Sequence, residues 1–361
     1  MSDEIEKIEL SDWPPYAWSK EKKQSLLLSK LAELDQLHRS QCIAFAKLTK
    51  IIPTIDLDSH PFSVFFPLPV RLFKSQELKS VSQESVIKTM TSSGTSGQSV
   101  SKIYLDKETA RLQIKVLSKL ISHILGNRRL PMLVIDCPSS IKNRRVFSAR
   151  TAGILGFSMY GRDLTFALND DMTINHDAIN NFITRYRGQK KFVFGFTYII
   201  WLHFVEVLEL LGKKVDLSDS ILLHGGGWKN IESRKVTRSD FKSRLSEVSA
   251  IKNIHNYYGM IEQTGSIFME CKQGHFHCST WSEVIIRDLK TFQPIANGKL
   301  GLLQLISVLP HSYPGHSILS EDIGVKLGED DCLCGWKGTY FDVVGRVKQA
   351  EIRGCSDTYS K

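Results

Sequence analysis

The chain has 361 residues, of which 42% are hydrophobic and 24% charged, with 47 Lys and Arg against 38 Asp and Glu and a formal charge of +9. That balance excludes collagen, wholesale disorder and a coiled coil, and no uninterrupted apolar run reaches the roughly 18 residues that a membrane-spanning helix needs. The positive surplus suits an anionic partner, but no basic run is interleaved with aromatic residues, so nucleic acid is not expected.

The first ten residues, MSDEIEKIEL, are acidic where a secretion signal is basic and then apolar, so a cytoplasmic protein is expected. Residues 21–50 are predicted as one amphipathic helix with Leu27, Leu31, Leu34 and Leu37 on a single face. Pro53, Pro61, Pro67 and Pro69 then break the chain into a loop, and a Ser/Thr/Gly cluster follows at 91–101. Asp106 is predicted to cap a helix with Leu112, Val116, Leu120 and Ile124 on its apolar face and Gly126 at its end. Met132–Ile135 and Phe192–Phe196 read as buried strands, the second followed by a helix to Leu211 and a glycine stop. Ile221–Leu223 reads as a strand running into Gly225, Gly226 and Gly227, and further strands are expected at Val284–Ile286 and Leu302–Val308. Strands alternating with helices predict an α/β fold with a largely parallel sheet. With no internal repeat and no low-complexity linker, one compact body with subdomains is expected.

The seven cysteines are odd in number, and without a secretion signal they predict no disulfide framework. Five fall in the last quarter: Cys271, Cys278, Cys332, Cys334 and Cys355. Cys271, His277 and the pair Cys332 and Cys334 can supply a closed tetrahedral Cys₃His set for structural zinc, with His275 and Cys278 as rival ligands. Such a zinc would pin a hairpin without joining the chemistry.

The most informative stretch is the hydroxyl- and glycine-rich run 91–102, Ser93-Gly94-Thr95-Ser96-Gly97 at its centre and Lys102 at its end. Glycines let backbone N–H groups turn inward around an anion, and a lysine adds a point charge. The spacing is neither a Walker A loop nor a dinucleotide fingerprint. It resembles the phosphate loop of the adenylate-forming enzymes, with Ser-Val-Ser-Lys where that family has Pro-Lys. Further segments match in the same order. Tyr258-Gly259-Met260-Ile261-Glu262 resembles the motif whose aromatic residue packs on adenine and whose glutamate binds magnesium, Ile261 standing for the usual threonine. His224-Gly225-Gly226-Gly227-Trp228 sits where the family has its adenine-side loop. Asp322 and Arg346 match the ribose-binding aspartate and arginine.

Residues 66–74, the Gly-Gly-Gly-Trp run and Arg353-Gly354-Cys355 resemble more narrowly the acyl-protein synthetases, the fatty-acid–luciferin-component ligases. Tyr258 to Cys271 and Cys332 to Gly335 are similar to the phenylacetate–CoA ligase branch, some members of which carry zinc on a similar set. The resemblance implies the N-terminal body of an adenylate-forming enzyme: layered α/β subdomains plus a small β region, without the full C-terminal domain. It implies a helical region at 1–60, the core at 61–346 and a tail at 347–361 bearing Cys355. It implies ATP and Mg²⁺, activation of a carboxylic, expected fatty, acid to acyl-adenylate, and transfer of the acyl group to a protein thiol. Lys102 and Glu262 would serve the adenylation and Cys355, in the fifteen residues after Arg346, would accept the acyl group. The partner would be an acyl-accepting reductase or an acyl carrier protein. Phe194, Gly195, Phe196 and Trp228 are expected to line the acid's pocket, Gly195 leaving room. Direct loading of a carrier protein or coenzyme A, and a non-catalytic nucleotide- or zinc-binding scaffold, are the competing readings.

Overall fold

A computed structural model describes residues 9–51, 60–92, 100–142, 149–228 and 236–347. These form two compact units, residues 9–92, 100–120 and 259–347 in the first and 121–258 in the second.

The first unit opens with two helices, α1 (Lys20–Gln41) and α2 (Ile43–Ile51). The single predicted helix is broken at Cys42, whose backbone is extended at φ −106°, ψ 101°. The break turns Cys42 and Phe45 into the core, while Leu37, unlike Leu27, Leu31 and Leu34, stays 36% exposed. After β1 (Leu68–Pro69), the strands β2 (Lys88–Thr91) and β3 (Lys102–Leu105) pair antiparallel with Thr91 opposite Lys102. Helix α3 (Lys107–Leu125) is capped as expected: the Thr109 N–H donates to Asp106 Oδ1 at 2.8 Å, and Gly126 ends it at φ +85°. Phe45, Leu68, Val70, Phe73 and Ile103 share one buried cluster with Tyr313 and Ile318.

The second unit runs β4 (Leu130–Ile135), α4 (Ala149–Ser158), β5 (Gly161–Phe166), α5 (His176–Arg185), β6 (Lys191–Phe196). It continues with α6, β7 (Ser220–Gly225), α7 (Arg238–Ser249) and β8 (Asn253–Tyr258). Helix α6 is composite: Thr197–Ile200, a π turn over Trp201–Val205, then Glu206–Leu210, stopped at Gly212 with φ +60°. All five strands are parallel, in the order β8-β7-β6-β4-β5. Every residue of β6 and β7 is buried, which is why these segments read as continuous apolar runs and not as alternating ones. Chain order reverses between β4 and β6, and the carboxyl ends of strands at such a switch point are where open α/β sheets bind ligands.

In the first unit the chain continues through β9 (Phe268–Glu270), β10 (Phe276–His277), β11 (Ser282–Arg287), β12 (Leu300–Ser307), β13 (Ser317–Glu329) and β14 (Thr339–Arg346). The expectation of a largely parallel sheet fails here. These strands pair antiparallel in the order β11-β12-β13-β14-β10-β9, and only β1 joins in parallel, on β13. No helix stands between β11 and β12, β12 and β13 or β13 and β14, and strands joined without a crossover helix pair antiparallel, whereas a parallel step usually needs one. The segment before α1 lies along this sheet: Trp281 Nε1 donates to the Leu10 carbonyl at 2.7 Å and the Lys337 N–H to that of Tyr16 at 3.0 Å. Lys23 of α1 and Glu283 of β11 form a buried ion pair at 3.0 Å. Among the described residues no helix is long and apolar enough to cross a membrane.

Candidate functional site

In the second unit the carboxyl ends of β4, β6 and β7 carry the polar groups. β4 runs into Asp136, fully buried and gripped by Arg150 of α4, whose Nε donates to Oδ2 at 2.7 Å and whose Nη2 donates to Oδ1. The Cys137 N–H donates to the same carboxylate at 2.6 Å, and the Cys137 thiol lies 3.2 Å from Ser139 Oγ. At the end of β6, Thr197 Oγ1 donates to the Gly225 carbonyl at 3.1 Å and lies 2.9 Å from His224 Nδ1. Because that carbonyl can only accept, the threonine proton is committed to it, and Nδ1 carries the hydrogen of the 2.9 Å contact. Burial pushes His224 down to about 3, so the ring is neutral.

The three glycines that follow His224 do different things. A Cβ on Gly225 would run into the ring of Tyr257, Gly226 sits at φ +82°, and nothing lies within 4 Å of a Cβ on Gly227. The aromatic side chain against Gly225 is therefore Tyr257; Tyr258, the expected adenine partner, is half-buried at the end of β8.

The aromatic residues expected to line the acid pocket have different ring neighbours. Phe194 stacks on Phe157 at 4.6 Å and meets Phe196 at 5.7 Å, whereas Trp228 joins Trp201 and Phe241 at 5.7 and 6.2 Å. The room that Gly195 leaves is filled by the protein itself: a Cβ there would lie 2.9 Å from Ile200 and 3.3 Å from Ile135.

In the first unit, Asp322 and Arg346 meet directly. Register pairs them across β13 and β14, and Arg346 Nε donates to Asp322 Oδ1 at 2.9 Å. A bulge puts Asp322 there. Leu302 of β12 faces Ile323, but Gln304 faces Leu319, so one residue, Leu303, spans three on β13, Ser320 to Asp322. Before the bulge β13 pairs with β1, after it with β14. Bulges of this kind bend a strand and re-aim side chains beside active sites. Ser320 Oγ accepts from the Asp322 N–H at 3.1 Å, and Glu321 is paired with Arg71. Glu262 stands 2% exposed on a one-turn 3₁₀ helix, Ile261–Gln263. Its neighbour Gln263 fixes that turn by donating to the carbonyls of Leu305 at 3.0 Å and Gly315 at 2.8 Å. Lys102 is exposed at the start of β3. Ser93, Gly94, Thr95, Ser96 and Gly97, and Cys355 with its tail, lie outside the described residues.

The cysteine and histidine set comes together as the spacing predicts. Ligand atoms of Cys271, His277, Cys332 and Cys334 all lie within 4.8 Å of one another. Cys271 and Cys332 Sγ are 3.9 Å apart, and Cys334 Sγ is 3.4 Å from His277 Nε2. A zinc tetrahedron with ordinary bond lengths has edges of roughly 3.8 Å between sulfurs and 3.6 Å from sulfur to nitrogen, so the donor set fits that ion. Tight turns deliver the ligands, Gly274 at φ +84° after Cys271 and Gly335 at φ +89° after Cys334. Burial pushes the Cys334 thiol up to about 12 and His277 down to about 4, so the ring is neutral and that thiol keeps its proton until a cation displaces it. The rivals stand outside the quartet: His275 packs on Tyr340 at 5.3 Å, and Cys278 is buried beside Glu283.

The model of the family described as acyl-protein synthetase, LuxE, matches residues 1–361. The chain belongs to that family. Two relatives are long-chain-fatty-acid–luciferin-component ligases. The one from Aliivibrio fischeri is 26% identical over 140 residues, 37% of this chain and 36% of the relative, and the one from Vibrio harveyi is 26% identical over 146 residues, 40% and 37%. The match thus spans little more than a third of either relative. The fold is that of adenylate-forming ligases: a 2-hydroxyisobutyryl-CoA ligase in an open conformation superposes with TM-score 0.63 at 13% identity, over 92% of this chain and 77% of that one. The same ligase in its postadenylation state gives 0.62 at 14% identity, over 92% and 69%.

Three features of this family member were not read from its sequence. The Asp136–Arg150 pair had a signal, an acid directly after the apolar strand 132–135. The Thr197–His224 contact had a weaker one, a histidine ahead of three glycines. The bulge at Ser320–Asp322 had none, because register is set by partner strands distant in the chain.

Proposed function

We propose that this chain activates a long-chain fatty acid with ATP and passes the acyl group to a thiol. The acid's carboxylate oxygen attacks the α-phosphorus, the bond to the bridging oxygen breaks, and pyrophosphate leaves. A thiolate then attacks the acyl carbon of the mixed anhydride and AMP leaves. The observation that carries the reading is the family match over the whole chain; the pairing of Asp322 with Arg346 on a bulged strand supports it.

In this reading the run Ser93 to Gly97 and Lys102 meet the phosphates, and Asp322, oriented by Arg346, accepts from the ribose hydroxyls. Gly225 to Gly227 and Tyr258 meet the adenine. Glu262, a buried carboxylate, would hold magnesium, whose charge offsets that developing on the phosphates. Zinc on Cys271, His277, Cys332 and Cys334 would fasten the turn between β13 and β14 to β10 and take no part in the chemistry. Cys355 is the proposed acyl acceptor, with a reductase or a carrier protein downstream.

ATP–pyrophosphate exchange across a panel of carboxylic acids tests the first half: exchange peaking with long-chain acids is expected, and none with any acid overturns it. Incubation with ATP and labelled acid tests the second. Cys355→Ser should keep exchange and lose the label released by neutral hydroxylamine. Metal analysis of the purified protein should find one zinc per chain, and well under one overturns that assignment.

A further inference from the structure

The five parallel strands of the second unit begin at one level, with Leu130 opposite Gly161, Lys191 opposite Ser220 and Ile221 opposite Asn253. This amino edge faces away from the carboxyl ends described above, and it is crowded with cations. Arg128 and Arg129 immediately precede β4, Arg162 follows the first residue of β5, and Lys252 immediately precedes β8. Arg185, Arg187, Lys190 and Lys191 cluster around the start of β6, and Lys213 and Lys214 lie in the segment leading to β7. The acids of the same edge are Asp163, Glu209, Asp216, Asp219 and Glu247, and Arg244 pairs with Glu209, so eleven cations stand against five acids, a surplus of six.

Part of that surplus answers the fold. Five helices, α3 to α7, end at this edge, and each carboxyl end carries roughly half a negative charge, which offsets two to three of the six. Some of the cations are also engaged: Arg162 pairs with Asp163 at 2.6 Å, Lys191 lies 3.6 Å from Asp219, and Arg185 lies over the Tyr186 ring at 5.3 Å. Arg128, Arg129, Arg187, Lys190, Lys213 and Lys214 are exposed and form no ion pair among the described residues.

Large apolar side chains stand among them. Leu210 is 86% exposed and Leu211 50%, at the end of α6 just before Lys213 and Lys214. Leu155 is 40% exposed and Met159 53%, at the end of α4 just before β5. An acidic protein surface would satisfy the cations and leave these four side chains in water. A bilayer bearing anionic headgroups satisfies both, taking the apolar tips into the headgroup boundary while lysines and arginines meet phosphates.

We propose that the amino edge of this parallel sheet is a peripheral docking surface for anionic lipid membranes. The docking stands on the edge's own chemistry. Its use rests on the fatty-acid reading above: long-chain acids partition into bilayers, and docking keeps the ligase beside the acid as it leaves them.

Sedimentation of the full chain with vesicles tests this without ATP or acid, so its outcome is independent of whether the protein adenylates anything. Binding is expected to vesicles of phosphatidylcholine mixed with phosphatidylglycerol, not to phosphatidylcholine alone, and to be released by high salt. Each cation near such a surface is worth about fivefold in partitioning. Lys213→Glu with Lys214→Glu should therefore weaken binding at least about 25-fold. Leu210→Ser with Leu211→Ser should weaken it at unchanged salt dependence, and Lys30→Glu on α1 should leave it unaltered. Equal binding to both vesicles, or to neither, overturns the proposal. So does wild-type binding to a purified acidic carrier protein in place of vesicles, abolished by the same charge reversal. Should the reversed variant fail to fold, the wild-type lipid and salt comparison still decides.

Discussion

Replacing Asp322 by alanine separates a ligand-binding carboxylate from a structural one. The Asp322 side chain is 12% exposed and that of Arg346 34%, so their ion pair is screened and worth no more than about 1 kcal/mol to folding. Arg346 is left with water within reach, so no buried charge is stranded. The expected shift in midpoint temperature is below about 4 °C for a chain of this size. The ribose, by contrast, would lose at least one charge-assisted hydrogen bond worth about 1.5–3 kcal/mol, roughly 10- to 150-fold in ATP affinity. Pyrophosphate exchange at limiting ATP, measured beside thermal unfolding of the same preparation, reads both. Exchange should fall at least tenfold while the melting curve barely moves. Unchanged exchange, or a loss that only tracks lost fold, refutes the assignment of Asp322 to the ribose.

Three more outcomes follow from the same structure. Gly225→Ala drives a methyl into the Tyr257 ring and should cost about 1–3 kcal/mol in urea unfolding, whereas Gly227→Ala, with nothing within 4 Å, should be near neutral. Lys23→Met strands the buried Glu283 carboxylate, for a loss of about 3–5 kcal/mol, most of it recovered when Glu283→Gln is added. At Glu329, burial works to raise the carboxyl, but Lys20 and Lys326 hold it down at about 2 against an ordinary 4.5. A depressed carboxylate stabilises above its unfolded value and loses that contribution as pH falls toward its folded one. Glu329→Gln should therefore cost about 1–2 kcal/mol at neutral pH, discounted for screening, and under half of that by about pH 3.

What could be read from the sequence followed a physical divide. The capped helix ending at Gly126 and the buried strands of the second unit are local signals, a cap three residues from its donor and an apolar run between breakers; the Cys₃His quartet is two short-spaced pairs, Cys271 with His277 and Cys332 with Cys334, that the fold brings together. The break at Cys42 escaped because the leucine periodicity continues through it, and only packing of Phe45 into the core resolves it. The π turn at Trp201–Val205 has no signal for a similar reason, since one extra residue in the run Trp-Leu-His-Phe-Val changes no residue type. Phe194 and Trp228 carry the same signal of a pocket, an aromatic residue near glycines. Their separate partners, Phe157 and Trp201, are set by tertiary packing that no spacing encodes. Antiparallel pairing in the first unit depends on the connections that join its strands, which the residue pattern of a single strand does not reveal.

The bulge on β13 has a consequence for how this strand tolerates change. Substitutions on either side of Ser320–Asp322 are ordinary strand substitutions, judged by size and by which face they occupy. A change of length there is different in kind. Removing two residues would leave Leu303 facing one residue and restore an unbroken ladder with β12, which is an easier strand to build. It would also take away the offset that lets β13 hand over from β1 to β14 and that sets Asp322 opposite Arg346. The easier strand would hold the same sheet together and would have nothing to offer a ligand, so insertions and deletions here should sort folded chains into working and silent ones.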